Sequence, residues 1–147
     1  MDTKELAAKQ ALTELANKLF MYTDARQWAL LLQEVFDSEV WFDMSSASGG
    51  APGLLPATAI CDMWQQGFGE LDAVHHQAGQ YLITIRDGAA DVYAYAMASH
   101  YKKAAANGQT RTFVGSYDLI AKLSPAGWRI SQFKYNLKYI AGNANLD

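Results

Sequence analysis

The stretch His75–Tyr101, "HHQAGQYLITIRDGAADVYAYAMASHY", decides the fold. Two β-rich runs flank Asp87-Gly88, a dipeptide that tolerates the positive φ angles of a tight hairpin, so the stretch predicts two long antiparallel strands. Side chains alternate across a strand, which places Val92, Ala94, Ala96, Ala98 and His100 on one face. A face of mostly small residues leaves room for a packed helix or for a cavity.

Downstream, Asn107-Gly108 and Ser124-Pro125-Ala126-Gly127 separate two further β runs. The expected meander is Ala73–Arg86, Ala90–Lys103, Thr110–Leu123 and Trp128–Ile140. Each strand exceeds the usual ~5 to 6 residues, so the sheet must curl or carry bulges, with Gly79 and Gly115 as the candidates. The tail after Ala141 has no pattern and is expected to fray.

Upstream the period changes. Ala8, Leu12, Leu15, Leu19 and Tyr22 fall at spacings of four and three, behind Asp2 and Glu5 placed as a capping box, which predicts an amphipathic helix. After a polar break at Thr23 and Asp24, Trp28, Leu31, Leu32 and Val35 form a second short helix ending near Phe36. Ser38–Met44 is aromatic and β-branched enough for a strand. Ser45–Leu55, rich in Gly, Ser and Ala, is expected as a soft loop that gates a cavity. Pro56 then opens a third helix running to Leu71, with Ile60, Met63, Trp64 and Phe68 on one face. Helices followed by a long antiparallel sheet define an α+β layout, and nothing divides residues 1–147 into more than one domain.

Composition narrows the partners. With 147 residues, 50% hydrophobic, the chain can bury a real core. A formal charge of -3 without a basic run argues against nucleic acid. No segment approaches the ~18 consecutive apolar residues of a membrane span, and the charged N-terminus does not resemble a leader. The lone Cys61 can form neither an intramolecular disulfide nor a dithiol motif, which fits a reducing, cytoplasmic setting.

Candidate chemistry rests on few residues. His75 and His76 are adjacent on a strand, so only one can face the interior, and His100 lies on the small-residue face. Histidines are also commonly partly buried without any catalytic role. Asp24 has two readings: an N-cap of the second helix with Gln27 three residues on, or, if Thr23 caps instead, a carboxylate free to reach across the helix junction. Trp41, Phe42, Trp64, Phe68, Phe113, Tyr117, Phe133 and Tyr135 are core residues by type, some of which can line a pocket. No tight ligand spacing supports a metal site, no nucleophile elbow is present, and "GGAPG" lacks the lysine of a phosphate cradle.

Three stretches together resemble a known family: "YTDARQWALLLQEVF" (Tyr22–Phe36), the opening stretch, and "GSYDLIAKLSPAGWRISQFKY" (Gly115–Tyr135). They are similar to the SnoaL-like proteins and scytalone dehydratase, within the nuclear transport factor 2-like superfamily. The resemblance implies a cone: a curved, mixed, mainly antiparallel sheet covered by about three N-terminal helices. By position it brings Asp24, His76 and His100 onto the dehydratase's proton-transfer aspartate and histidines, with His75 outside the cavity. It also implies a small-molecule ligand, no cofactor, and a homo-oligomer, dimer or trimer.

The match has departures. Thr23 and Met44 stand where the dehydratase has tyrosines, and Tyr117 where it has an asparagine, so scytalone itself is not the expected substrate. The wall expected is Thr23, Trp41, Met44, Trp64, Phe68, Phe113, Tyr117, Phe133 and Tyr135. The reading is a cofactor-free acid–base enzyme of dehydratase, cyclase or isomerase type, acting on a small cyclic or polyketide-like molecule. The alternatives are a binding domain without turnover, or an assembly module pairing through the outer sheet face.

Overall fold

In the computed structural model, which describes all residues Met1–Asp147, helix α1 spans Thr3–Asp24. It starts where the Asp2 carboxylate accepts a hydrogen bond from the Glu5 N–H at 2.7 Å. Leu12, Leu15, Ala16 and Leu19 form its buried stripe. The helix stops at a Schellman turn, in which the Gln27 N–H donates to the Tyr22 carbonyl and the Arg26 N–H to the Thr23 carbonyl. Arg26 takes the left-handed conformation, φ 56°, that such a turn requires. The break therefore falls at Ala25-Arg26, after the polar pair Thr23-Asp24 and not at it. Neither side chain of that pair caps the next helix: Thr23 Oγ1 donates back to the Leu19 carbonyl at 2.6 Å, and Asp24 turns toward the sheet.

Helix α2 is Trp28–Leu30, continued by a π turn over Leu31–Val35. Strand β1 (Phe36–Asp43) leads to a 3-10 turn at Ser45–Ala47, strand β2 (Gly53–Pro56) and helix α3 (Ala57–Gly67). The expected soft loop is thus largely structured. Ser46 Oγ donates to the Tyr135 carbonyl and accepts from the Leu137 N–H, both at 2.8 Å, while β2 pairs antiparallel with β1. Four residues are too short to show a strand period, and β1 supplies the order. Helix α3 ends earlier than Leu71 because Gly67 and Gly69 are poor helix formers, which leaves Phe68 as its C-cap.

The meander follows as β3 (Ala73–Arg86), β4 (Ala89–Tyr101), β5 (Thr110–Ser124) and β6 (Gly127–Gly142). Sheet order is β2-β1-β6-β5-β4-β3, with β1 and β6 parallel and every other pair antiparallel. The register shifts between Gly79 and Leu82 against β4, and between Val114 and Gly115 and Ile120 and Ala121 against β6. Such bulges bend the strands, so the open sheet curls around the helices as an α+β cone. Its inner face, with Ala90, Val92, Leu119 and Ile130, packs on Leu12, Leu19, Leu31 and Ile60.

The tail does not fray. Strand β6 runs on to Gly142, and Leu146, 2% exposed, fills a second small core with Leu71, Val74 and Ala105. The Asn143 side-chain amide donates to the carbonyls of Gly108 and Asp147, both at 2.9 Å. A single leucine among polar residues carries no periodic signal, and its socket is assembled from two segments distant from it in sequence, Leu71–Val74 and Ala105. No helix is long and apolar enough to cross a membrane.

Candidate active site

The Schellman turn leaves Asp24 in the last turn of α1, where the helix dipole disfavours a carboxylate and no basic residue compensates. What holds it is strand β3. That strand lies at the sheet edge, so half of its backbone N–H groups have no strand partner. Asp24 Oδ2 accepts from the His76 N–H at 2.7 Å while Oδ1 lies 2.6 Å from His76 Nδ1. One carboxylate therefore grips both the backbone and the ring, and Phe20 stacks on the imidazole with centroids 5.4 Å apart. A carboxylate can only accept, so His76 Nδ1 carries a proton and, in the neutral ring, Nε2 keeps its lone pair. His75, one residue earlier, is exposed and lies 3.4 Å from Gln77 Oε1 through Nε2.

His100 is 8% exposed on β4 and sits edge-on to Phe68, with Phe113 on another side at 5.2 Å. Arg111 Nε donates to its Nδ1 at 3.0 Å. Burial first, then the Arg111 charge and His76, pull the His100 pKa down from 6.5 to about 4, against a smaller opposing effect of Asp24. The folded ring thus binds fewer protons than the unfolded one between those two values. That contribution to stability is complete above about pH 6.5 and is lost as pH falls toward 4. We expect wild type to lose on the order of 3 kcal/mol through that window relative to His100→Gln. Urea unfolding of both proteins at several pH values checks this, and parallel curves would refute it.

His76 and His100 line one cavity of about 160 Å³, with Thr23, Met44, Trp64, Phe68, Phe113, Tyr117, Phe133 and Tyr135 in its wall. Ten of its thirteen lining residues are hydrophobic, so a charge or dipole inside it is weakly screened. Tyr117 and Tyr135 face each other across β5 and β6, ring centroids 4.9 Å apart. Desolvation raises both phenols, Tyr135 to about 12, which keeps both hydroxyls protonated. The Tyr135 hydroxyl is buried without a hydrogen-bond partner.

Trp41 does not belong to this wall. It is 44% exposed, because β1 turns Val40 and Phe42 inward and Trp41 to the opposite face. Leu19, Phe20 and Ala98 complete the lining, and Arg111 acts behind it. Ala98 was on the small-residue row already; Arg111 needed the β4–β5 register, which sets it directly opposite His100. Cys61 is buried away from the wall, its thiol pushed up to about 11 by desolvation and then Asp62. No group of three or more His, Cys, Asp or Glu side chains is placed to hold a metal ion.

Solved structures similar to this chain include the Kfla4162 protein of Kribbella flavida, 26% identical, TM-score 0.91, matched over 97% of each chain. A scytalone dehydratase-like protein of Novosphingobium aromaticivorans is 12% identical, TM-score 0.82, over 97% of this chain and 92% of that one. A type 2 hexachlorocyclohexane dehydrochlorinase, LinA, is 13% identical, TM-score 0.81, over 98% and 94%. At those last two identities the likeness is one of fold. No protein of curated function matches the sequence. The model of the SnoaL-like domain matches residues 4–134, which takes in all six strands up to the middle of β6 and, with them, Asp24, His76 and His100: the chain belongs to the SnoaL-like domain family.

Proposed function

We propose that the cavity performs cofactor-free acid–base chemistry on a small, mainly apolar ring compound, by elimination of water or a comparable leaving group. The observation that carries this reading is the Asp24–His76 pair, 2.6 Å apart at the rim of an apolar cavity. Asp24 holds the Nδ1 proton and stabilises the imidazolium that forms when Nε2 removes a proton from carbon. His100 sits in the same wall to act on the opposite end of the reacting bond. Isomerisation and ring closure begin with the same proton abstraction, so those reactions remain within the proposal. The likeness in fold to a dehydratase-like protein and a dehydrochlorinase supports elimination as the first choice.

Size narrows the ligand. About 160 Å³ is close to the ~150 Å³ in which an apolar protein cavity accepts benzene, so a single six-membered ring is the ligand size this volume supports best. The test is a set of one-ring compounds bearing an acidic C–H next to a leaving group, incubated in deuterated water. Wild type is expected to release the leaving group or to place solvent deuterium on that carbon. One observation favours the second reading, a binding domain: the Thr23 hydroxyl, where the dehydratase has a polarising tyrosine, is spent on the Leu19 carbonyl. Saturable binding of these rings with neither exchange nor release would select it.

A further inference from the structure

Two imidazoles share this cavity, and their outer nitrogens are wired in opposite senses. His76 Nδ1 faces an acceptor, the Asp24 carboxylate, whereas His100 Nδ1 faces Arg111 Nε at 3.0 Å. A guanidinium has donors and no acceptor, so His100 Nδ1 must present its lone pair, which puts the proton of the neutral ring on Nε2. Arg111 is itself held, since its Nη1 donates to the Ala144 carbonyl at 3.0 Å and its guanidinium lies 5.4 Å from the Phe113 ring centre. The carbonyl comes from the docked tail, whose Leu146 packs with the cluster that Phe68 covers, and Phe68 is the ring edge-on to His100 at 5.5 Å.

We propose that Arg111, braced by the C-terminal tail, is a positioning residue that locks His100 as the neutral Nε2–H tautomer, so that His100 supplies a hydrogen-bond donor and never the base. The proposal rests on the acid–base reading for its catalytic meaning, and not for its chemistry. His76 takes the proton from carbon and, where the leaving group is a hydroxyl, returns it to the departing oxygen so that water leaves as the carbon–carbon double bond forms; His100 Nε2–H hydrogen-bonds the oxygen or halogen on which negative charge develops. The charged groups facing His100 are Arg111 from β5, His76 from β3 and Asp24 from α1. Of these only Asp24 favours protonation of His100, and its two oxygens are already engaged by His76. A donor that stays uncharged stabilises developing charge without itself giving up a proton to bulk water.

The experiment is long-range ¹⁵N–¹H NMR of the three histidine rings in the full chain. Wild type is expected to show His100 with Nε2 protonated and Nδ1 bare at pH 7, and the pattern should persist below pH 5. Arg111→Met, which keeps length and removes the donor, should give a mixed tautomer that protonates at higher pH, with the His76 pattern retained. Arg111→Lys, which keeps an N–H donor, should restore the Nε2–H form. On a substrate that wild type converts, Arg111→Met should lower kcat about tenfold with little change in KM. A protonated Nδ1 on His100 in wild type overturns the proposal whether or not the variants fold, and so does an unchanged ring in Arg111→Met. If the tautomer is as stated and no ring compound is turned over, the wiring stands and the acid–base reading falls.

Discussion

Asp24→Asn is expected to lower turnover by a factor of about 10² to 10⁴ on any substrate the wild-type cavity converts. Asparagine has one oxygen where the carboxylate has two. If that oxygen keeps the His76 backbone N–H, the amide NH₂ faces Nδ1 and donates to it, which moves the ring proton to Nε2 and removes the base from the cavity. Stability should change far less, by about 1 kcal/mol, because the lost charge-assisted bond is partly offset by removing a negative charge from the C-terminal end of α1. Capping contributes nothing to this difference: the N-cap of α2 is Gln27, and no side chain caps it. Measuring kcat/KM and urea unfolding on the same samples separates the two effects. Full activity in the variant would reduce Asp24 to a clamp between α1 and β3 and remove His76 from the role of base.

Gly115→Ala is expected to cost about 3 kcal/mol of folding stability, a large effect for one methyl group. A Cβ at Gly115 would collide with the Asn136 carbonyl oxygen and come within 2.7 Å of the Tyr135 hydroxyl and 2.9 Å of its ring carbon Cζ. Neither neighbour can step aside. Asn136 belongs to the β5–β6 ladder one residue before the register shift, and the Tyr135 ring is packed against Tyr117 inside the cavity wall. The close approach is possible only for glycine, and it is what lets the Tyr135 side chain of β6 lie across β5 in the cavity wall. Tyr135→Phe serves as the partner test, since deleting a buried hydroxyl without a hydrogen-bond partner should be neutral or stabilising. In the double variant part of the Gly115→Ala loss should return. Urea denaturation with an unchanged slope checks all three proteins, and a loss under ~0.5 kcal/mol in Gly115→Ala would show that this part of the ladder yields.

The elements of the fold were legible in the sequence because their signals are local. Spacings of three and four mark α1, Asp87-Gly88 marks the β3–β4 turn, and Gly88 indeed takes a positive φ of 71°. Glycines at 79 and 115 stand at two of the places where the register slips, while the shift at Ile120–Ala121 carries no glycine to announce it. Strand alternation also required that His75 and His76 part company. Alternation does not say which member of a pair faces inward, however, and for Trp41 the aromatic character pointed the wrong way. The face is chosen by what the strand packs against, and for β1 that is α3, built from residues further along the chain.

The site itself was decided by tertiary structure. Asp24 and His76 are 52 residues apart, and their contact exists because a helix ends beside an edge strand with a free N–H. Arg111 entered only through the β4–β5 register, and the tail only through a socket made of Leu71, Val74 and Ala105. Period and turn chemistry act over a few residues and are written into the sequence directly. Partners of a carboxylate or an imidazole are chosen by the packing of segments distant along the chain, and that choice is made only when the whole core has formed.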